Sequence, residues 1–177
     1  MTADHRIRRA RPEDAPALAR LGQETFIETF VQGFAVPYPP EDLAAYVDRV
    51  YTPQAYAARI ADPSLAVWMA GPDERPLAFA VAGPCGLPHP EAAAADGELK
   101  LLYVRAEAQG SGLGRALLDT ALNWLERDGP RTLWIGVWSG NERAQRLYAR
   151  HGFEKVGEYD FPVGRWLDRE WILRRTA

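Results

Sequence analysis

The chain has 177 residues, of which 47% are hydrophobic and 25% are charged, and this composition is typical of a globular protein. The formal net charge of −3 argues against nucleic-acid partners, because such proteins usually present a basic face. Cys85 is the only cysteine and the histidines are scattered along the chain, so neither an internal disulfide nor a metal site is expected.

Length and hydropathy predict how the chain is organised. A chain of 177 residues is long enough to bury a core, so a single domain over residues 1–177 is expected. The basic N-terminus is not followed by an apolar stretch, which argues against a secretory signal. No run of about 18 apolar residues predicts a membrane-spanning helix. The expected location is therefore the cytoplasm, without a membrane partner.

The first half of the chain predicts one short strand followed by helices. Residues 6–10 have the composition of a strand, and Pro12 stands where the first turn of a helix would begin. The proline-rich segment 37–40 interrupts the helical pattern that follows. Further helices are predicted at residues 23–31, 41–50 and 53–60.

The second half of the chain alternates apolar runs with two helices. Gly71-Pro72 marks a hairpin between the first two runs, and residues 84–96 predict an irregular loop. The order of elements indicates an α+β fold with a βαβ unit at its centre, since strands and helices do not alternate throughout. Strands are predicted at residues 65–70, 77–82, 98–104, 132–138, 153–161 and 166–173, and helices at residues 112–127 and 142–150.

A glycine-rich turn stands between the predicted strand 98–104 and the helix that follows it. Backbone N–H groups can converge on an anion at such a place, and the helix N-terminus adds favourable dipole charge. Gly112 and Gly114 would let a pyrophosphate approach the backbone, and Arg115 could add a cationic contact. Arg115 stands where a dinucleotide fingerprint needs a third glycine, and the Gly-Lys-Ser/Thr of a Walker loop is absent. A glycine turn that serves packing only is the alternative.

The turn carries a resemblance to a known family. Gln109-x-x-Gly112-x-Gly114, after a strand ending in Tyr103-Val104, resembles the acetyl-CoA signature of the GNAT superfamily of N-acetyltransferases. A second segment, from Asn141 through Leu147-Tyr148 to Gly152-Phe153, resembles the second cofactor segment of that superfamily. The resemblance implies a GNAT fold with a mixed central sheet of about seven strands flanked by helices. It implies acetyl-CoA as co-substrate, held by Leu102, Val104, Gln109, Gly110, Ser111, Gly112, Leu113, Gly114, Arg115, Asn141 and Tyr148.

Other stretches are similar to the bacterial polyamine (spermidine/spermine) N-acetyltransferase branch. They include Thr25-Phe26, Glu98-Leu99, the segment 136–138 and Phe161-x-x-Gly164 followed by Asp168. Lys100 and Leu101 depart from the branch, which often has an acidic and a basic residue there. The resemblance implies acetyl transfer to a primary amine, a polyamine or another small amine, which attacks the thioester directly.

Two residues are candidates for the chemistry itself. By period-two alternation Glu98 shares a strand face with Leu102 and Val104, where it could take a proton from the amine. The alternative is that Glu98 is a solvated residue at the start of its strand. Tyr148 would by itself be read as a core aromatic. The resemblance instead implies that its hydroxyl lies near the sulfur of the co-substrate.

Other functions remain open at the level of sequence. The same chemistry could act on a protein lysine or an N-terminal amine instead of a small molecule. A non-catalytic acyl-CoA-binding sensor would carry the same glycine turn without turnover. A homodimer is compatible with each of these functions.

Overall fold

Seven strands form one sheet in the order β1-β2-β3-β4-β5-β7-β6, as described by a computed structural model of residues 6–177. Residues 1–5 lie outside the described residues. They include His5 and part of the basic N-terminus, for which no secretory signal was expected. The strands are β1 (Ile7–Arg9), β2 (Ala66–Ala70), β3 (Ala78–Pro84), β4 (Gly97–Val104), β5 (Leu133–Trp138), β6 (Glu154–Val163) and β7 (Trp166–Arg175). The sheet is mixed, because β4 and β5 are parallel and all other neighbours are antiparallel.

Five α-helices cover the two faces of this sheet. They are α1 (Ala15–Phe26), α2 (Pro40–Val50), α3 (Pro53–Ala61), α4 (Leu113–Leu125) and α5 (Glu142–Ala149), and a π-helix (Ile27–Gly33) continues α1. α4 and α5 bury their apolar side chains against one face, and α1, α2 and α3 bury theirs against the other. β2 is buried along its whole length because it has helices on both sides. The predicted α+β fold with its βαβ unit is confirmed.

The sheet opens in its middle, between β4 and β5. These strands pair only where Gly97–Leu99 lies beside Leu133–Ile135. Beyond that point residues 100–104 of β4 and residues 136–138 of β5 diverge, although β4 stays paired with β3 and β5 with β7. We call this opening the splay. It leaves the facing edges of two buried strands without partners in the sheet.

A β-bulge in β4 decides which side chains face which helices. Ala82 is opposite Leu99 and Val81 is opposite Leu101, so Lys100 is an extra residue in β4. A bulge shifts the alternation of side chains by one position. Leu99 therefore packs with Leu102 and Val104 on the face of α4, and Glu98 lies on the opposite face. The expectation that Glu98 shares a face with Leu102 and Val104 is wrong for this reason.

Candidate active site

The glycine turn, residues 109–114, lies where the end of β4 leads into α4. Gly110 has a φ of 84° and Gly112 a φ of 89°, in the left-handed region that side chains rarely adopt. A Cβ added at either glycine would meet nothing within 4 Å. These glycines are therefore required by backbone conformation rather than by packing, and the space in front of them is open.

The amides of this turn are free to bind an anion. Those of Gly110 and Gly112 donate no hydrogen bond to any group in residues 6–177. The amide of Leu113 has only a long contact of 3.4 Å with Ser111 Oγ, which itself donates to Ala108 O at 2.7 Å. The first amides of α4 also lack intrahelical acceptors, as in every α-helix. Together they make a site for a phosphate group at a helix N-terminus.

The side chains beside the turn have different tasks. Gln109 Nε2 donates to Val104 O at 3.1 Å, and Gln109 Oε1 accepts from Arg143 Nη1 at 2.7 Å. Gln109 thus links the end of β4 to α5. Arg115 is exposed and has only a 3.7 Å contact with Asp119, so its guanidinium can reach a bound phosphate.

The edge of β4 that borders the splay carries free backbone groups. Arg105 N donates to Leu77 O, so the N–H of Arg105 points toward the β3 side of the strand. Along an antiparallel strand, residues whose N–H and C=O groups point to one side alternate with residues whose groups point to the other side. Those of Leu102 and Val104 therefore point into the splay, where Val104 O is engaged by Gln109. An extended ligand can pair with this edge as an added strand would.

Asn141 and Tyr148 are both positioned by α5. Asn141 Oδ1 accepts from Ala144 N at 3.1 Å, so Asn141 is the N-cap of α5. Tyr148 is buried and packs edge-on against Phe153. Burial and, to a smaller extent, the charge of Glu170 raise the pKa of Tyr148. Its hydroxyl is therefore protonated at neutral pH and can donate a hydrogen bond.

Glu98 lies on the face of the splay away from α4, held by two donors. Its Oε2 accepts from Lys100 Nζ at 2.7 Å and from Gly86 N at 2.8 Å. Only 8% of Glu98 is exposed, so it is not the solvated strand-start residue that was the alternative. The charge of its carboxylate is balanced by Lys100.

A second carboxylate, which the sequence did not bring to attention, lies on the same face. Glu170 Oε2 accepts a 2.5 Å hydrogen bond from the Tyr159 hydroxyl. Burial raises the pKa of Glu170 to about 6, and the charges of Asp168 and Glu98 add to this. The alternation of side chains along β7 could have identified Glu170 from the sequence. Asp168 and Glu170 fall on the same strand face as the buried Ile172.

Gly136 leaves space for the side chains of Tyr159 and Glu170 where the splay begins. A Cβ at Gly136 would lie 2.9 Å from the Tyr159 hydroxyl and 3.1 Å from Glu170 Oε2. Both groups therefore stand directly over the first residue of β5 that has no partner in β4. We call Glu98, Gly136, Tyr159 and Glu170 together the acidic face.

Aromatic rings border the acidic face. Phe34 lies 4.7 Å from the ring of Trp138, and Phe30 meets the same ring edge-on at 5.9 Å. Further along β7, Asp168 accepts hydrogen bonds from the Tyr38 hydroxyl and from Trp166 Nε1. Such a mixture of carboxylates and aromatic faces suits an organic cation.

Over residues 6–177 no group of three or more His, Cys, Asp or Glu side chains is arranged to hold a metal ion. In the same part of the chain no helix has the length and apolar character needed to cross a membrane.

Comparison with known proteins finds similarity to N-acetyltransferases. The model of the Acetyltransferase (GNAT) family matches residues 24–153. An uncharacterized N-acetyltransferase of Mycobacterium tuberculosis is 30% identical over 166 residues, 92% of this chain and 97% of the relative. A phosphinothricin N-acetyltransferase of Streptomyces coelicolor is 26% identical, over 96% of this chain and 93% of the relative.

A similar fold is found in a solved structure. The PaiA N-acetyltransferase of Thermoplasma acidophilum, crystallised in complex with coenzyme A, superimposes with a TM-score of 0.73. The two chains are 18% identical, and the match covers 97% of this chain and 98% of the other. The likeness supports the expected seven-stranded fold.

Proposed function

Because the chain belongs to the Acetyltransferase (GNAT) family and is an acetyl-CoA-dependent N-acetyltransferase, we propose that its acceptor is a small primary amine, of which a polyamine is one example. The amine attacks the thioester directly, without a covalent acyl-enzyme. The observation that carries the proposal is the acidic face, which sets two carboxylates beside the splay that separates β4 from β5.

The residues present fit the coenzyme. The free amides of Gly110, Gly112 and Leu113 would hold its pyrophosphate, with Arg115 beside them. The edge of β4 at Leu102 and Val104 would pair with the pantetheine arm, in the manner of an added strand. The remaining predicted contacts are those of Gln109, Ser111, Gly114 and Asn141. Bound in this way, acetyl-CoA supplies the activated acetyl group.

Tyr148 is proposed to stabilise the departing sulfur. A thiol is a stronger acid than an ordinary tyrosine, so full proton transfer from tyrosine to thiolate is uphill by about 2 kcal/mol. Burial of Tyr148 raises its pKa further and makes transfer less favourable still. Donation of a hydrogen bond to the thiolate requires no such transfer. This is the role that the proposal gives to Tyr148.

Glu98 is proposed to act on the other reactant. An alkyl amine has a pKa of about 10, so at neutral pH it arrives as a cation and must lose a proton before it attacks. The carboxylate of Glu98 can attract that cation and is the base that the sequence predicts. Its pairing with Lys100 reduces both effects.

Thiol release from acetyl-CoA tests the acceptor class. Polyamines, amino acids, aminoglycosides and short peptides would be offered at equal concentration, and release of coenzyme A would be followed. We expect turnover with one or more small primary amines. Release with peptides alone would favour a protein acceptor. Tight binding of acetyl-CoA without release across the panel would favour a sensor.

Exchange of Glu98 for glutamine distinguishes a role in attracting the cationic amine from a role in proton transfer. Glu98→Gln leaves Lys100 unpaired near the incoming cation, so we expect the KM for a cationic amine to rise by roughly tenfold, the effect of about 1.4 kcal/mol. The kcat should change much less. Steady-state kinetics with one good acceptor measures both values. A large loss of kcat with an unchanged KM would instead assign proton transfer to Glu98.

A further inference from the structure

We propose that Glu170, positioned by Tyr159, is the group that takes the proton from the acceptor amine. The inference rests on the proposed function and deepens it, because it assigns the base to β7 rather than to β4. Glu98 then contributes negative charge on the same face of the sheet without accepting the proton.

Glu170 lies at the point where β4 and β5 begin to diverge. Its carboxylate lies over Gly136, where β5 loses its partner in β4 and the splay begins. Tyr148 lies on the opposite face of the sheet, in the core beneath α4 and α5, and its pKa is raised by burial and, to a smaller extent, by the charge of Glu170. An amine entering from the side of Glu170 would meet the thioester with the sulfur directed toward Tyr148.

The two carboxylates differ in their partners. Glu98 is bound by Lys100 Nζ at 2.7 Å, and this ammonium occupies the place that a substrate cation would take. In residues 6–177 Glu170 forms no ion pair, and its only side-chain donor is the neutral hydroxyl of Tyr159. A carboxylate without a cationic partner gains from binding an ammonium group.

The electrostatic surroundings of Glu170 favour proton transfer near neutral pH. Its pKa of about 6 lies much closer to working pH than that of an ordinary glutamic acid. The hydrogen bond from Tyr159 lowers this pKa, whereas burial, Asp168 and Glu98 raise it. The titratable and charged groups around Glu170 are Glu98, Lys100 and Tyr103 on β4, Tyr159 on β6, Asp168 on β7, Tyr148 on α5 and Tyr46 on α2.

The proton balance of the step is simple. The ammonium gives one proton to the Glu170 carboxylate, and the free electron pair of nitrogen forms the new C–N bond. The C–S bond breaks, and its electron pair leaves on sulfur, to which Tyr148 donates a hydrogen bond. The nitrogen loses its second proton as the amide forms, and the thiolate takes up one proton. Glu170 returns its proton to solvent after the product leaves.

The test is the pH dependence of kcat/KM for Glu170→Gln with an ordinary alkyl amine. In the wild-type protein the active species are ionised Glu170 and the ammonium form of the acceptor. Its kcat/KM should therefore rise up to a pH of about 6 and then level off. Without the base only neutral amine reacts, so the variant should rise by roughly tenfold per pH unit up to the pKa of the amine. At pH 7 we expect a loss of roughly 100-fold or more.

A second acceptor distinguishes a base from a structural residue. A fluorinated analogue of the same amine is largely neutral at pH 8 and needs no base. Glu170→Gln should therefore lose less than roughly tenfold with the analogue. An equal loss with both amines would mean that Glu170 serves structure only, and would overturn the inference. If kcat/KM of Glu170→Gln reached the same plateau as that of the wild-type protein, the inference would also be overturned. The same holds if Glu98→Gln, and not Glu170→Gln, lost the plateau.

Two further variants provide a second test of Glu170 and a control. Tyr159→Phe removes the donor that holds the Glu170 pKa down, so the acid limb of the profile should move to higher pH. An unmoved limb would contradict the assignment. Glu158→Gln is the matched control, because its side chain is exposed on the adjacent position of β6 and pairs with Lys155. It should keep the wild-type profile. If the wild-type protein itself releases no thiol with any amine, the proposed function fails rather than the assignment of its base.

Discussion

Gly112→Glu is expected to abolish binding of acetyl-CoA. Gly112 is the N-cap of α4, and the space where its Cβ would project is open. A carboxylate there would stand beside the pyrophosphate, and two like charges about 4 Å apart near a protein surface repel by about 4 kcal/mol. The dissociation constant should therefore rise by roughly a thousandfold or more. Calorimetric titration of the variant with acetyl-CoA measures this directly.

Two controls separate charge from backbone strain in this experiment. Gly129→Glu introduces the same residue at a φ of 121°, again with nothing within 4 Å of the added Cβ, but beyond the other end of α4. It should bind acetyl-CoA as the wild-type protein does. Gly112→Ala carries only the strain of the left-handed backbone, about 1–2 kcal/mol. Normal affinity in Gly112→Glu would mean that the pyrophosphate binds elsewhere.

Tyr148→Phe is expected to lower kcat while leaving the affinity for acetyl-CoA almost unchanged. The change removes the hydroxyl that we propose to interact with the sulfur as negative charge develops there. A hydrogen bond to a charged group contributes about 1.5–3 kcal/mol. The kcat should therefore fall by roughly 10- to 100-fold. Steady-state turnover and a separate binding titration give the two quantities.

Tyr56→Phe is the matched control for this variant. Tyr56 is also fully buried, and its hydroxyl has no hydrogen-bond partner in the described part of the chain. Loss of that hydroxyl should leave turnover unchanged, because Tyr56 belongs to the core beneath α1 and α3. Unchanged turnover in Tyr148→Phe as well would remove Tyr148 from the proposed chemistry.

The two sides of the splay differ in what they offer to the reaction. The side of α4 and α5 has free amides, the open edge of β4 and the protonated hydroxyl of Tyr148. The opposite side has Glu98 and Glu170. In the proposed reaction, this division would place the anionic co-substrate and a cationic acceptor on surfaces of suitable charge, and they would meet where the strands diverge.

Local sequence was a good guide wherever a local interaction decides the structure. Helices were predicted at residues 112–127 and 142–150, where the structure has α4 and α5, and the N-cap of α5 is formed within three residues, from Asn141 to Ala144. The glycine turn was found in the same way, since a positive φ selects glycine whatever the rest of the chain does.

Only the tertiary structure decided which side chains meet in the acidic face. The bulge at Lys100 arises from pairing with β3, and it moved Glu98 to the face opposite Leu102 and Val104. Glu170 was not noticed because its raised pKa depends on burial and on contacts with distant strands. The chain by itself therefore determined the helices, the strands and the glycine turn, because the interactions that form them act within a few residues. The positions and the proton affinities of the carboxylates depend on long-range packing, which no window of sequence contains.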